Sequence, residues 1–123
     1  MTTSPTARTV AECRKRGWLV QNVEQTIRIP GGRTFKRDLF GVIDLVAVTP
    51  DGILGIQATA TSAHHAHRRT KVLAEPRLKR WLEAGGRFAI WSWSKRGERG
   101  KRKRWAVREE AIVADMFYVE TAL

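Results

Sequence analysis

The sequence predicts an α/β domain in which a central mixed sheet is flanked by helices. The chain has 123 residues, which is enough for one hydrophobic core but not for two, so residues 1–123 are expected to form a single domain. Segments with the two-residue periodicity of strands alternate with segments that have the apolar spacing of helices. A continuous apolar stretch at 39–48 is typical of a central strand that is buried on both faces.

The N-terminal half is predicted to contain one helix and three strands. Ser4 and Pro5 form a favourable N-cap and first-turn pair, and Gly17 can end the helix, which would cover residues 5–16. Three strand-like segments follow, separated by a Pro-Gly-Gly turn and a Thr-Pro-Asp-Gly turn. These predicted strands cover residues 18–29, 39–48 and 53–60.

The C-terminal half begins with a helical pattern over residues 62–84. Pro76 interrupts this pattern and starts a second helix, whose buried stripe would comprise Leu78, Trp81 and Leu82. Residues 87–94 alternate like a strand, which places Trp91 and Trp93 on the same face. A shorter strand is predicted at 105–108. The predicted order is α-β-β-β-α-β with extra elements at the C-terminus.

The charge balance indicates a polyanionic partner. There are 23 Lys and Arg residues against 12 Asp and Glu, giving a formal net charge of +11. Nucleic acid is the expected partner, and an anionic membrane surface is the alternative. Cys13 is the single cysteine, which excludes an internal disulfide and a cysteine zinc cluster and fits a reducing compartment. No apolar run approaches the length of a membrane span.

Two groups of cations are candidates for phosphate contacts. One lies on the predicted helix after residue 62, and the other lies in the basic segment, residues 95–104, which has seven basic residues and one acid. The alternative for the basic segment is a solvated hairpin. Trp105 beside it could stack on nucleobases. The predicted DNA-binding residues are Arg68, Arg69, Lys71, Lys95, Arg96, Lys101, Arg102, Lys103 and Arg104.

Asp44 is the residue that most needs an explanation, because a carboxylate inside an apolar strand is costly unless it is paired or binds a metal. The turn at 49–52 predicts a hairpin in which Val48 faces Ile53 and Asp44 faces Gln57. Thr59 lies two residues further along the second strand, on the face of Gln57. Carboxylate and carbonyl oxygens are the ligands that Mg²⁺ prefers, so this patch of sheet is a candidate metal site.

The stretch 41–44, the turn and the residues Gln57-Ala58-Thr59 resemble the core of the PD-(D/E)XK nucleases, in which an Asp ends one strand and a (D/E)-x-K tripeptide lies on the next. The resemblance covers about residues 6–93, leaving 95–123 as a basic loop and C-terminal extension. It is greatest to the archaeal and phage Holliday junction resolvases. Here Gln57 replaces the usual acid and Thr59 replaces the usual Lys, so the motif is a D…QxT variant.

The resemblance implies a restriction-endonuclease-like core and a Mg²⁺ or Mn²⁺ ion held by Asp44, Gln57 and Glu12, the last on the first helix. His65, or its neighbour His64, would act as the base, as a His following a Thr does in the very-short-patch mismatch endonucleases. Alternatively, Lys71 or an Arg of the helix would supply the missing cation. Thr59 would position water or phosphate.

Structural alternatives remain for each candidate. Asp44 could pair with Arg37, Gln57 could satisfy backbone groups at a bulge beside Gly55, and Glu12 could pair with Arg8 or Arg16. The three histidines lack the partners that complete a tetrahedral zinc site, so the alternative for His64 and His65 is the solvated start of a basic helix.

The functional prediction is a metal-dependent DNA endonuclease that hydrolyses phosphodiesters. By resemblance, its substrate would be branched DNA, its state a homodimer, its role DNA recombination and its location the cytoplasm of a prokaryote or of a phage-infected host. The alternative is a DNA-binding module that keeps the nuclease scaffold without catalysis. A third possibility, RNA binding through aromatic stacking, lacks a recognisable RNA motif.

Overall fold

A five-stranded mixed sheet is the centre of the structure, a computed structural model that describes residues 3–117. Its strand order is β1-β4-β5-β6-β7, and a separate two-stranded sheet pairs β2 with β3. The elements are α1 (Pro5–Lys15), β1 (Leu19–Asn22), β2 (Gln25–Ile29), β3 (Arg33–Arg37), β4 (Leu45–Thr49), β5 (Gly52–Ala60), α2 (Ser62–Leu73), α3 (Pro76–Glu83), β6 (Arg87–Arg96), β7 (Arg104–Ile112) and a short 3₁₀ helix (Ala114–Phe117).

The predicted α/β class is confirmed. The predicted β4–β5 register is confirmed for the paired residues, which end at Leu45 opposite Ile56, whereas Asp44 lies before β4 and is not paired with Gln57 in the ladder. Strands β4 and β5 are antiparallel, with Val48 opposite Ile53 and Leu45 opposite Ile56. Strands β5 and β6 are parallel and are connected through α2 and α3, whereas β6 and β7 form a long antiparallel hairpin. The helix signals also hold, because the Ser4 side chain caps α1 and Pro76 begins α3.

Helices cover both faces of the sheet. On one face, α1 contributes Cys13 to a core with Leu45, Ile56 and both Trp91 and Trp93. On the other face, α2 and α3 pack over a second core that includes Ile43, Val72, Leu78, Phe88 and Ile90. The predicted shared face of Trp91 and Trp93 is therefore confirmed. Because side chains alternate along β5, Gln57 and Thr59 lie on the face that α2 and α3 cover.

Several boundaries differ from the prediction. The strand expected at 18–29 is divided into β1 and β2, because the Asn22 side chain accepts a hydrogen bond from the backbone N–H of Glu24 and turns the chain. The strand expected at 39–48 begins only at Leu45 and is not central, since β5 occupies the middle of the sheet. Strand β3 has no counterpart in the prediction, and β7 extends well beyond 105–108.

The predicted C-terminal extension reaches residue 123, and its residues 118–123 lie outside the described range. Among the helices of residues 3–117, none has both the length and the apolar character that crossing a membrane requires.

Candidate metal centre

Asp44 lies immediately before β4 and reaches across to β5. Its backbone N–H donates to the Ile56 carbonyl at 2.9 Å, while its carboxylate Oδ2 accepts the Ala58 N–H at 3.0 Å. The Ala58 N–H, which lies beyond the last β4–β5 pair, is thus satisfied by a side chain. Only 7% of Asp44 is exposed. The alternative pairing of Asp44 with Arg37 is not found, and the Arg37 guanidinium donates to Gln25 instead.

A strained turn before Asp44 sets this geometry. Phe40 has a φ of 52°, in the left-handed region that non-glycine residues rarely adopt, and Gly41 follows with a φ of 77°. A Cβ on Gly41 would lie 3.0 Å from the Arg77 guanidinium, so glycine lets the turn approach α3. Ile43 in turn packs so closely on Gly55 that a Cβ there would lie 2.9 Å from its Cδ1 atom. These close contacts fix the chain at the point where it enters Asp44.

Three carboxylates converge at this position. Glu24, Asp38 and Asp44 each offer an oxygen, and these oxygens all lie within 4.8 Å of one another. We refer to them as the acid cluster. Glu24 directly precedes β2 and Asp38 directly follows β3, so the two-stranded sheet brings both acids to the start of β4, where Asp44 lies. A cation lies at the edge of the cluster, because the Lys36 Nζ atom is 3.5 Å from a Glu24 oxygen.

The electrostatics of the acid cluster are unfavourable without a positive partner. Burial raises the pKa of Asp44 from its ordinary value of 3.8 to about 8, and a hydrogen bond and charge repulsion from Asp38 add to this effect. The Ala58 N–H acts in the opposite direction and is outweighed. A carboxyl group with this pKa is protonated at neutral pH in the absence of metal. A bound divalent cation would offset the negative charge in place of the proton.

Gln57 adds a fourth oxygen donor. Its side chain is 1% exposed, and its Oε1 atom finds no hydrogen-bond donor in the described part of the chain. Buried polar atoms are nearly always paired, so an orphaned carbonyl oxygen needs an explanation. The β4–β5 ladder ends at Leu45 opposite Ile56, and the Asp44 carboxylate accepts the N–H of Ala58, the residue next to Gln57. Gln57 therefore adjoins Asp44 along β5. Because its Oε1 atom has no donor, the alternative in which it satisfies a backbone group at a bulge is not found.

The donor set fits a hard divalent cation. The three carboxylates supply only oxygen ligands, the type that Mg²⁺ and Mn²⁺ prefer over nitrogen or sulfur, and the unpaired Gln57 oxygen is a candidate fourth donor. The orphaned Gln57 oxygen is the independent sign of a missing ligand, because the acids alone could share protons. Thr59 lies two residues beyond Gln57 on the same face of β5 and is 5% exposed.

A cleft of about 470 Å³ opens next to the acid cluster. Asp38 lies in its wall together with two guanidinium groups, those of Arg37 and Arg77. Arg77 pairs with Glu75, with an Nη2–Oε1 distance of 2.8 Å, and its side chain is largely exposed. Guanidinium groups bind phosphate oxygens well, and here they stand beside the carboxylates that could hold the cation.

Glu12 is not part of this site, which corrects its prediction as a metal ligand. Its carboxylate accepts from Arg16 at 2.9 Å, and Arg16 also binds Glu109. Helix α1 lies on the face of the sheet opposite that of Gln57. The i,i+4 pair with Arg16, one of the two alternatives, is what the structure contains.

His65 is not one of the three clustered residues and lies in a buried polar network with Ser92, which is paired with Thr59 across β5 and β6. It is 1% exposed, and its ring nitrogens lie 2.7 Å from Ser92 Oγ and 2.8 Å from Glu110 Oε1. Burial raises the pKa of Glu110, but hydrogen bonds from His65 and Arg69 outweigh it and hold that pKa below its usual range. Both ring nitrogens of His65 are engaged inside the protein, an arrangement typical of a structural histidine, and its role as a base stays a prediction.

The basic segment forms the β6–β7 hairpin end, as predicted. Lys101 pairs with Glu98 at 3.2 Å, and both side chains are largely exposed. Trp105 is already covered by the Arg8 guanidinium, 3.4 Å from the ring centroid, so that face is closed to a base. On α2, Arg69 is tied to Glu110. The other predicted cations that are exposed are Lys71, Lys95, Arg96, Arg102, Lys103 and Arg104.

Sequence reasoning misses Glu24, Asp38, Arg37 and Arg77. The spacing of Asp38 and Asp44 around Phe40-Gly41 is the available signal, since an aromatic-glycine turn between two acids can fold them together. Nothing local marks Glu24, because the alternating pattern places it on the solvent face of a strand. Comparisons with protein-family models, with curated proteins and with solved structures gave no match to this chain.

Proposed function

We propose that this protein is a divalent-metal-dependent DNA endonuclease that hydrolyses phosphodiester bonds. The observation that carries the proposal is the acid cluster together with the orphaned Gln57 oxygen, all buried or half-buried at the end of two paired strands. The net charge of +11 supports a polyanionic substrate. The variant motif of Asp44, Gln57 and Thr59 supports a place among the PD-(D/E)XK nucleases.

The residues divide into two groups by role. Asp44, Asp38, Glu24 and Gln57 would hold the cation, which when bound polarises a phosphate and lowers the pKa of a coordinated water. Arg37 and Arg77 face the same cleft and would orient the phosphodiester by charge-assisted hydrogen bonds. The Ala58 N–H fixes the Asp44 carboxylate, so its position costs no reorganisation when substrate arrives.

The topology is consistent with this proposal. If the β2–β3 sheet is treated as an insertion, the remaining order of α1, β1, β4, β5, the α2–α3 pair and β6 follows the α-β-β-β-α-β arrangement of the nuclease core. By the same resemblance we propose branched DNA as substrate, a homodimer that makes two cuts, and action in the cytoplasm of a prokaryote or of a phage-infected host.

The second candidate is a DNA-binding module that uses the same scaffold without catalysis. One observation favours it: Thr59 stands where the family has its Lys, and it is 5% exposed, so no cation occupies that position on β5. Arg77, approaching from α3, is the residue through which the nuclease proposal would replace that charge.

The deciding experiment is a cleavage assay on linear, mismatched and four-way-junction DNA in parallel, with Mg²⁺, Mn²⁺ or EDTA. The nuclease proposal expects cleavage that depends on the metal and is lost in Asp44→Asn, while DNA binding is retained. Asp51→Asn is the matched control, because Asp51 lies in an exposed turn. Binding without cleavage of any substrate in both metals would leave the binding module as the answer.

A further inference from the structure

The β2–β3 arm, residues 25–37, stands apart from the main sheet. Nine of its ten strand residues are exposed, and only Ile27 is half-buried. A two-stranded ribbon is marginally stable by itself in water, so one that is exposed to this degree gains from a partner that covers it. Pro30, Gly31 and Gly32 form its tip.

The charge of the arm is entirely positive. It carries four cations and no acid between Gln25 and Arg37, and the cations are Arg28, Arg33, Lys36 and Arg37. Within the described chain no carboxylate lies in salt-bridge distance of Arg28 or Arg33, in contrast to Lys36, which contacts Glu24. Two guanidinium groups near the tip are therefore available to an anionic partner.

The register divides the arm into two faces. Arg28 lies opposite Thr34 and Lys36 lies opposite Thr26, so one face carries cations and hydroxyl groups only. The other face carries Ile27, Phe35 and Ile29, with Arg33 at its tip and the Gln25–Arg37 pair at its base. Guanidinium and hydroxyl groups on one face are hydrogen-bond donors suited to phosphate oxygens and to base edges.

The position of the arm links it to the candidate metal centre. Glu24 directly precedes β2 and Asp38 directly follows β3, so two of the three acids of the acid cluster lie at the base of the arm. A strand of five residues extends about 17 Å, and any polymer lying along the arm must pass the acid cluster at its base. A chain of phosphates is the polymer that suits both the cations of the arm and a cation held at its base.

We propose that the β2–β3 arm is a DNA-binding element that lies in the major groove of a duplex flanking the acid cluster. The major groove of B-DNA is about 12 Å wide and admits a two-stranded ribbon. The inference rests on the proposed function for the role of the acid cluster, and it adds that the substrate contains double-stranded DNA beside the cleaved bond.

Two measurements in EDTA test the arm without cleavage: anisotropy titration of a fluorescent duplex as salt increases, and protection of guanine N7 atoms from dimethyl sulfate. The double variant Arg28→Gln, Arg33→Gln should weaken binding about tenfold, lower the slope of log affinity against log salt by about 2, and abolish N7 protection. The control Arg14→Gln, Lys15→Gln removes the same charge from exposed positions on α1 and should leave the protection pattern unchanged.

Each other outcome overturns one proposal and not the other. Unchanged N7 protection in the arm variant, or an equal loss in the control, would overturn the arm as a groove-binding element even if wild-type protein cleaves DNA. A change in oligomeric mass with unchanged DNA affinity would overturn it as well and identify the arm as a subunit interface. Arm-dependent protection in a protein that never cleaves would overturn the nuclease function alone.

Discussion

Replacing Asp44 with Asn should stabilise the metal-free protein at high pH and remove part of its pH dependence. The folded protein raises the pKa of Asp44 from 3.8 to about 8 by burial and by its contact with Asp38. Between these two values the folded chain holds a proton that the unfolded chain has lost. The stability that this group contributes is therefore complete below pH 4 and is lost as the pH rises towards 8.

The size of the effect follows from the shift. Each pKa unit corresponds to about 1.4 kcal/mol, so the shift of Asp44 sets an upper limit of about 6 kcal/mol on the stability lost between pH 4 and pH 8. Asn keeps the geometry, because its carbonyl can accept the Ala58 N–H and its amide can donate to Asp38. The variant should thus fold like the wild type but should not lose this stability between pH 4 and pH 8.

Urea unfolding in EDTA at pH 5, 6, 7, 8 and 9 measures this difference. We expect the stability advantage of Asp44→Asn over the wild type to grow with pH by more than about 2 kcal/mol across the series. Asp51→Asn should run parallel to the wild type, because that carboxylate is largely exposed. A constant difference between wild type and Asp44→Asn would refute the assigned environment of Asp44.

Three further variants test the neighbouring assignments. Gln57→Met should leave the metal-free protein as stable as wild type or about 1 kcal/mol more stable, because it removes an unpaired buried oxygen. The same variant should weaken Mn²⁺ binding. A loss of stability with full Mn²⁺ affinity would contradict this. His65→Ala should lower the free energy of unfolding in urea by about 3 kcal/mol, because it leaves Ser92 and Glu110 without their hydrogen-bond partner, and it should not change Mn²⁺ affinity. A variant that keeps its stability and loses only cleavage would support the role of His65 as a base. Alanine at Lys101, Arg102, Lys103 and Arg104 should lower the salt slope of DNA binding by up to about 4 in an anisotropy titration, and an unchanged slope would make the basic segment a bystander.

The centre of the fold can be predicted from the sequence because it depends on local signals. The four-residue turn after β4 determines the β4–β5 register, so the pairs from Val48 opposite Ile53 to Leu45 opposite Ile56 follow from the residues of the turn alone. The helix boundaries follow from Ser4, Gly17 and Pro76 for the same reason, since caps and prolines act within one turn.

The rest of the site depends on contacts that are distant in sequence. Glu24 reaches the acid cluster because Asn22 turns the chain and the Val23 N–H bonds to the Asp44 carbonyl, and neither event is visible in the alternating pattern of residues 18–29. Asp38 lies close to Asp44 because Phe40 and Gly41, in the turn between them, adopt left-handed conformations. The buried network of His65 could not be predicted either, because its partners Ser92 and Glu110 come from β6 and β7, which are distant in sequence.

The most direct test of the metal centre is a Mn²⁺ titration of the protein, followed by the electron paramagnetic resonance signal of free Mn²⁺. We expect wild-type protein and Asp51→Asn to bind Mn²⁺ at the acid cluster with the same affinity, because Asp51 lies outside it. Asp44→Asn should lose that binding, since it removes the most buried carboxylate of the set. Equal Mn²⁺ binding by wild type and Asp44→Asn would contradict the metal centre and the nuclease function built on it.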